Sequence, residues 1–132
     1  MITISQNIIF EIFEQAFKDL PNETCGLLVG KDDEITKIFP LTNTDQSPEH
    51  FSFDPAEQFQ VLRAARTEGL SVIANYHSHP ASPARPSVED IRLAYDPDIL
   101  YLIASLEAET PVLKAFKIIK EQVTEIEINV IQ

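Results

Sequence analysis

The chain has 132 residues, of which 44% are hydrophobic and 23% charged, a balance typical of one folded domain with an apolar core. Its 21 acidic and 10 basic side chains give a formal net charge of −11, which disfavours nucleic acid as a partner because phosphate backbones are also negative. The single cysteine, Cys25, excludes an internal disulfide and a four-cysteine metal site.

The N-terminal segment MITISQNIIFEIFEQ does not have the pattern of a secretory signal peptide. It lacks a basic start, and two glutamates interrupt its apolar stretch. No apolar run in the chain approaches the roughly 18 residues that a membrane span requires. We therefore expect a cytoplasmic protein with no membrane partner, in a reducing compartment that suits its low cysteine content.

The first half of the chain predicts strands and helices in alternation, from the spacing of its apolar residues. Pro21 ends the first helix. Asp54, Pro55 and Glu57 begin the second, with aspartate at the N-cap, proline at the first position and glutamate three residues after the cap. The predicted elements are a strand at 1–5, a helix at 6–20, strands at 24–30 and 34–41, a polar loop at 42–52 and a helix from 54 to 66.

The second half of the chain supplies the centre of the predicted sheet. Residues 71–76 (SVIANY) are almost wholly apolar, as expected of a strand buried on both faces. A proline-rich loop follows, Ser87 opens a short helix that ends before Pro97, and strands are predicted at 100–106, 112–119 and 123–131, the last two as a hairpin. This order predicts an α/β fold: a single three-layer domain over residues 1–132, with a mixed β-sheet flanked by helices.

A run of potential metal ligands follows the predicted central strand: His77-Ser-His79, then seven residues, then Ser87-x-x-Asp90. Side chains two positions apart on an extended strand share a face, so both imidazoles can aim at one point. Asp90 lies in the first turn of the next helix and can face back to the strand end. Two histidines and a carboxylate can hold zinc and leave a fourth position open, which is typical of hydrolytic sites.

Each half of this pattern also has a purely structural interpretation. Histidines two positions apart are often incidental, and Ser87-x-x-Asp90 matches a capping box, with serine at the N-cap and a carboxylate three residues later. Their coincidence at the end of a buried strand favours a metal, because burying two imidazoles and a carboxylate without one is costly.

The pattern His77-x-His79-x7-Ser87-x-x-Asp90 resembles the signature of the JAMM (MPN+) metalloprotease family, whose architecture is cytidine-deaminase-like. The resemblance extends to Glu23, which stands just before an apolar strand, as a glutamate does in that family, and it covers nearly the whole chain. It implies that His77, His79 and Asp90 bind a catalytic zinc ion. It also implies that Glu23 is the general base and that Ser87 stabilises the oxyanion.

The family resemblance also implies a substrate class. JAMM enzymes cleave peptide or isopeptide bonds after the C-terminal Gly-Gly of ubiquitin-like proteins. The short loops of this chain are similar to those of stand-alone prokaryotic members, which act on ubiquitin-like sulfur-carrier proteins. We therefore expect a zinc metallopeptidase whose partner ends in Gly-Gly and adds as a strand beside an exposed sheet edge.

Two other functions remain open, and a third is excluded. An isopeptidase that removes ubiquitin-like modifiers from lysines would use the same residues, whereas a non-catalytic MPN-type scaffold would usually lack one or more ligands. A zinc nucleobase deaminase needs a Cys-x-x-Cys pair, which one cysteine cannot supply. We interpret Cys25 as a small buried hydrophobe and His50 as a solvated loop residue.

Overall fold

The computed structural model describes all 132 residues and contains three helices and eight strands, one strand more than predicted, with the predicted elements in the predicted order. None of the helices combines the length and the apolarity needed to cross a membrane. The helices are α1 (Gln6–Lys18), α2 (Pro55–Thr67) and α3 (Val88–Arg92). The strands are β1 (Ile2–Ser5), β2 (Cys25–Lys31), β3 (Glu34–Leu41), β4 (Ser71–His79), β5 (Leu100–Ser105), β6 (Val112–Ile119), β7 (Gln122–Ile126) and β8 (Ile128–Ile131).

All eight strands belong to one mixed sheet with the order β7-β6-β5-β4-β2-β3-β1-β8. The central strand β4 runs antiparallel to β2 and parallel to β5. The two edge strands, β7 and β8, are consecutive along the chain and separated only by Glu127. Because one residue joins its two edges, the sheet must curl round on itself.

The C-terminal hairpin differs from the prediction. β6 and β7 pair antiparallel as expected, but the predicted strand 123–131 is broken at Glu127. Its second half, β8, pairs in parallel with β1 at the far edge of the sheet. The alternation of apolar residues along a strand sets which face is buried, whereas it does not identify the neighbouring strand.

Helices cover both faces of the sheet, which confirms the predicted three-layer arrangement. On one face, α1 packs Ile12 into the largest core cluster, together with Tyr76 of β4. On the other face, α2 packs Val61 against β2, and Ile91 of α3 packs against a third cluster. Successive side chains of a strand point to opposite faces, so His77 lies on the side of α2 and α3.

The start of α2 also forms hydrogen bonds with the loop at 42–52. Asp54 is the N-cap and Pro55 occupies the first turn, as predicted. Glu57, however, does not reach back to the cap: its carboxylate accepts the backbone N–H and the hydroxyl of Thr42, each at 2.8 Å. The glutamate of the predicted helix start therefore fastens the beginning of this loop to α2.

Candidate metal centre

The C-terminal end of β4 carries both histidines, because the strand runs through His79 rather than ending at residue 76. His77 and His79 share a face, and both are buried, at 2% and 4% exposure. Their Nε2 atoms lie 3.1 Å apart. The two imidazoles thus aim at one point, as their spacing along an extended strand predicts.

Asp90 completes a cluster of three potential ligand atoms. Its Oδ2 lies 3.2 Å from His77 Nε2 and 3.1 Å from His79 Nε2. The backbone N–H of Ser87 donates to the same oxygen at 2.9 Å, and Ser87 Oγ accepts the N–H of Asp90 at 3.0 Å. The predicted capping box is therefore formed, and it aims the carboxylate at the imidazoles.

The hydrogen bonding of His79 shows that a cation would stabilise this cluster. Its Nδ1 lies 2.8 Å from the carbonyl oxygen of Pro83. A carbonyl only accepts, so Nδ1 carries the hydrogen and Nε2 of the neutral ring presents a lone pair. That lone pair faces Oδ2 of Asp90, a second acceptor, and a proton or a metal ion between the two atoms removes the repulsion.

The spacing of the three ligand atoms fits zinc. Zinc binds nitrogen and carboxylate oxygen at about 2.0–2.1 Å in a tetrahedron, whose edge is then about 3.3 Å. The three edges of this cluster measure 3.1, 3.2 and 3.1 Å. Two neutral imidazoles and one carboxylate are also a donor set that zinc takes in hydrolytic sites.

Burial and hydrogen bonding set the ionisation of the three side chains, and for His77 and Asp90 the result favours metal binding. Burial lowers the pKa of His77, which keeps that ring neutral. Burial also opposes a charge on His79, but its hydrogen bonds with Asp90 and Pro83 outweigh this effect and raise its pKa. For Asp90, hydrogen bonds from both histidines outweigh burial and hold the pKa well below its usual value, so the carboxylate stays ionised.

Glu23 reaches the centre through the pairing of β2 with β4. Cys25 lies opposite His77 in the sheet. Immediately before β2, the Thr24 N–H donates to Ser78 Oγ at 2.8 Å, although these residues are 54 positions apart. This hydrogen bond extends the pairing of the two segments beyond the strands and places Glu23 close to the level of the histidines.

The carboxyl group of Glu23 is buried and incompletely paired. The residue is 5% exposed, and its Oε1 has no hydrogen-bond partner. Burial raises the pKa of Glu23 to about 8, although the nearby His79 acts in the opposite direction. A buried carboxyl oxygen without a partner is rare in native proteins, and a strongly perturbed pKa beside a cleft is typical of functional sites.

A cleft of about 500 Å³ is lined by three of the five site residues that the sequence predicts. Glu23, His79 and Ser87 all line it, so the candidate base, one candidate ligand and the candidate oxyanion donor face one space. His50 and Glu89 also line this cleft, and Nδ1 of His50 lies within hydrogen-bond distance of Glu89 Oε1, a contact that links the loop at 42–52 to α3. His50 is exposed, as expected, but it is not merely solvated.

No sequence pattern indicates that three further residues lie around the cluster. The ring of Phe51 stacks on His77, with centroids 4.6 Å apart and planes inclined by 21°. Pro83 supplies the carbonyl that orients His79, and Asn75 Oδ1 is buried without a partner. The proline spacing predicts a stiff loop, but no local pattern indicates which carbonyl or ring meets an imidazole from another element.

Cys25 lies outside the metal centre. It is fully buried, in the core cluster beneath α2. Burial raises the pKa of its thiol to about 12, so it is neither a nucleophile nor a ligand at neutral pH. This placement agrees with its interpretation as a small buried hydrophobe.

The fold and the site can be compared with known proteins. A family model described as prokaryotic homologs of the JAB domain matches residues 5–119. The CysO-cysteine peptidase of Mycobacterium tuberculosis is 32% identical over 135 residues, spanning 100% of this chain and 92% of that protein. A probable TtuB-protein conjugate cleaving protease of Thermus thermophilus is 35% identical over 95 residues, spanning 71% of this chain and 64% of that protein.

Among solved structures, the protein DSY2949 of Desulfitobacterium hafniense is similar over the whole chain. The two share 47% identity with a TM-score of 0.92, over 100% of this chain and 94% of that one. The whole chain therefore folds as this relative does, including the segments that frame the metal centre.

Proposed function

The chain belongs to the family of prokaryotic homologs of the JAB domain, and on that premise we propose that it is a zinc-dependent peptidase. The bond it cleaves would follow the C-terminal Gly-Gly of a ubiquitin-like or sulfur-carrier protein. The observation that carries the proposal is the cluster formed by His77, His79 and Asp90 at the edge of the cleft that Glu23 also lines.

His77, His79 and Asp90 would hold the zinc ion. When bound, zinc polarises a carbonyl group and lowers the pKa of a water molecule to roughly 7. The protein's own part is to keep the ligands oriented. The capping box fixes Asp90, the Pro83 carbonyl fixes His79, and ligands held in place beforehand need little rearrangement when the metal arrives.

Glu23 would act as the general base. Its unpaired Oε1 is free to take a proton from the attacking water and to return it to the departing amine. A pKa of about 8 without a metal means that a neighbouring positive charge, which favours the ionised form, converts Glu23 into the carboxylate that a base requires.

Ser87 would stabilise the negative charge that develops on the carbonyl oxygen. Its oxygen accepts the N–H of Asp90, which leaves the hydroxyl hydrogen free to donate into the cleft that Ser87 lines. One such donor typically contributes a factor of about 10²–10³ to the rate. Capping and catalysis therefore use different parts of the same hydroxyl group.

The substrate class is supported by the named relatives and by the shape of the site. One relative is a CysO-cysteine peptidase and another a probable TtuB-protein conjugate cleaving protease. Glycines at the end of a substrate tail allow its backbone to approach a recessed site closely. Because the central strand β4 is paired on both sides, the substrate tail would not add to the sheet beside β4. The tail would instead lie along the loop at 42–52, which contributes residues to the cleft.

The test compares wild type with Glu23→Gln on a sulfur-carrier protein that carries cysteine after its C-terminal Gly-Gly. We expect the variant to keep its zinc, because Glu23 is not a ligand, and to lose turnover by a factor of about 10² or more. Glu49→Gln is the matched control, since Glu49 also lines the cleft but lies outside the metal cluster, and it should retain activity.

Each alternative outcome has a distinct meaning. Retained activity in Glu23→Gln would remove Glu23 as the base, and lost zinc would make it a ligand. Wild-type protein that binds no zinc would favour a non-catalytic scaffold. A lysine-linked conjugate of the same carrier, assayed in parallel, separates the isopeptidase function, which the name of the Thermus thermophilus relative favours, from cleavage of a linear adduct.

A further inference from the structure

The two histidines of the metal centre differ in what holds their rings. His79 donates its Nδ1 hydrogen to the carbonyl of Pro83, whereas Nδ1 of His77 is buried and has no partner. Because Nε2 of His77 faces the other two ligand atoms, its Nδ1 must carry the ring hydrogen whenever Nε2 binds a metal. Metal-binding histidines almost always donate that hydrogen to an oxygen atom.

A complementary acceptor lies two residues earlier on the same strand. Only three buried side-chain atoms in the molecule lack a hydrogen-bond partner: Glu23 Oε1, Asn75 Oδ1 and His77 Nδ1. Asn75 and His77 both belong to β4, and residues two apart on a strand share a face. One unpaired group is thus a donor and its neighbour an acceptor.

Both side chains line a cavity of about 260 Å³ between α2 and α3. Phe51, Phe53 and Ile103 in its walls are apolar. Among the polar side chains there, Ser52 is bonded to Asp45, Glu89 contacts His50 and Asp90 faces both histidines. Gln58 is therefore the one other carboxamide that could compete with Asn75. The hydroxyl of Tyr101 is already engaged with the backbone of Asp96. The cavity provides room for the carboxamide of Asn75 to turn towards the imidazole, and an apolar surrounding strengthens such a contact.

We propose that Asn75 is a positioning residue of the metal centre, whose carboxamide oxygen accepts the Nδ1 hydrogen of His77 when zinc is bound. The stacked ring of Phe51 limits how far the imidazole can tilt, and a hydrogen bond at Nδ1 limits its movement within the ring plane. Together they would fix the tautomer and aim Nε2 at the metal. This inference rests on the zinc site proposed above and extends it by one residue.

The first measurement is zinc affinity, by competition with a chromophoric chelator. Asn75→Leu removes the acceptor at similar volume, and Asn75→Ala does so without adding bulk. We expect both to bind zinc about 10-fold to 100-fold more weakly, the usual effect of losing such a partner. Asn75→Asp keeps an acceptor oxygen and should stay near wild type.

The matched control is Gln58→Leu. Gln58 lines the same cavity, and its replacement makes the same change from carboxamide to leucine without touching the proposed contact. Its zinc affinity should equal that of wild type. Melting curves and amide spectra of the metal-free variants establish that each one is folded.

The second measurement does not depend on affinity or activity. In the zinc-loaded wild type, the imidazole nitrogen spectrum should show His77 protonated at Nδ1, with that hydrogen slow to exchange. In zinc-loaded Asn75→Leu the same hydrogen should exchange much faster, while the Nδ1 hydrogen of His79 should not change. A purely structural role of Asn75 would not separate the two rings in this way.

Several results would overturn the proposal. One is that Asn75→Leu and Asn75→Ala both bind zinc as tightly as wild type. Another is that Gln58→Leu loses as much zinc affinity as Asn75→Leu. A third is that Asn75→Asp binds zinc as weakly as Asn75→Leu does. Each would leave the zinc peptidase itself in place, provided that the wild type binds zinc. A wild type that binds no zinc would refute both proposals.

Discussion

Ser87 and Asp90 hold each other through two hydrogen bonds, and the carboxylate oxygen that caps the backbone of Ser87 is the one that faces both histidines. The start of α3 is therefore part of the candidate metal centre. A capping box by itself needs only to fix the start of a helix. Here a single oxygen of Asp90 accepts the N–H of Ser87 and faces both histidines, where the proposed metal ion would lie.

This relationship predicts the effect of Ser87→Ala. Loss of an N-cap serine typically costs about 1 kcal/mol, and Asp90 loses the partner that holds its backbone. We expect a lower melting temperature, weaker zinc binding, and turnover reduced by about 10² even at saturating zinc because an oxyanion donor is missing. Ser87→Thr keeps the hydroxyl and should preserve zinc binding. Unchanged zinc affinity in Ser87→Ala would show that the capping box does not position the ligand.

Removal of zinc should lower stability. A ligand that binds only the folded state stabilises it by about 2.7 kcal/mol when its free concentration is 100 times the dissociation constant. We expect a chelator to lower the melting temperature of wild type, and added zinc to restore it. Asp90→Asn, which lacks the carboxylate of the cluster, should melt at the same temperature with and without the chelator. A chelator effect of wild-type size in this variant would place the metal elsewhere.

The raised pKa of Glu23 makes the stability of the metal-free protein depend on pH. The folded carboxyl releases its proton near pH 8, whereas the ordinary value is 4.5. Between these values the folded state binds more protons than the unfolded state, so stability falls as pH rises, by at most about 1.4 kcal/mol per pH unit from this one group. Below pH 4.5 the full contribution is present.

Urea denaturation of metal-free protein at pH 5, 6, 7 and 8 measures this slope. Glu23→Gln cannot titrate, so its stability should fall less steeply over the same range than that of wild type, while Glu49→Gln should follow wild type. Parallel curves for wild type and Glu23→Gln would mean that Glu23 ionises normally in the folded protein.

Gly26 is required by the ring that packs on it. A Cβ atom at position 26 would lie 2.3 Å from Tyr76 Oη and 2.4 Å from its Cζ. Tyr76 is fully buried, and its hydroxyl donates to Gln15 Oε1 of α1, so the ring cannot move aside easily. We expect Gly26→Ala to lower the free energy of unfolding by about 1–3 kcal/mol.

A double-mutant cycle measured by urea denaturation tests this contact. When Tyr76→Ala has already removed the ring, Gly26→Ala should cost much less, since residues in contact show large coupling energies. Equal costs in the two backgrounds would mean that the backbone of β2, rather than Tyr76, rejects the methyl group.

The parts of the site that could be predicted from the sequence are those set by local geometry. The pair His77 and His79 share a face because strands alternate, and Asp90 is aimed by a capping motif that spans four residues. Partners from distant segments carry no such signal. Phe51 and Pro83 reach the imidazoles only because the loops that bear them fold over the end of β4.

The fold shows the same division. Residue periodicity, together with prolines and helix-capping residues, predicts nearly every strand and helix, and the three layers follow from their order. What the sequence does not determine is which strands are neighbours when they are far apart in the chain: β8 joins β1, and the pairing of β2 with β4 brings Glu23 to the histidines. The sequence by itself thus determines the proposed ligands and their chemistry, because both follow from residue type and short-range spacing. The tertiary structure decides the burial of Glu23 and hence its pKa, because desolvation depends on every segment that surrounds a group.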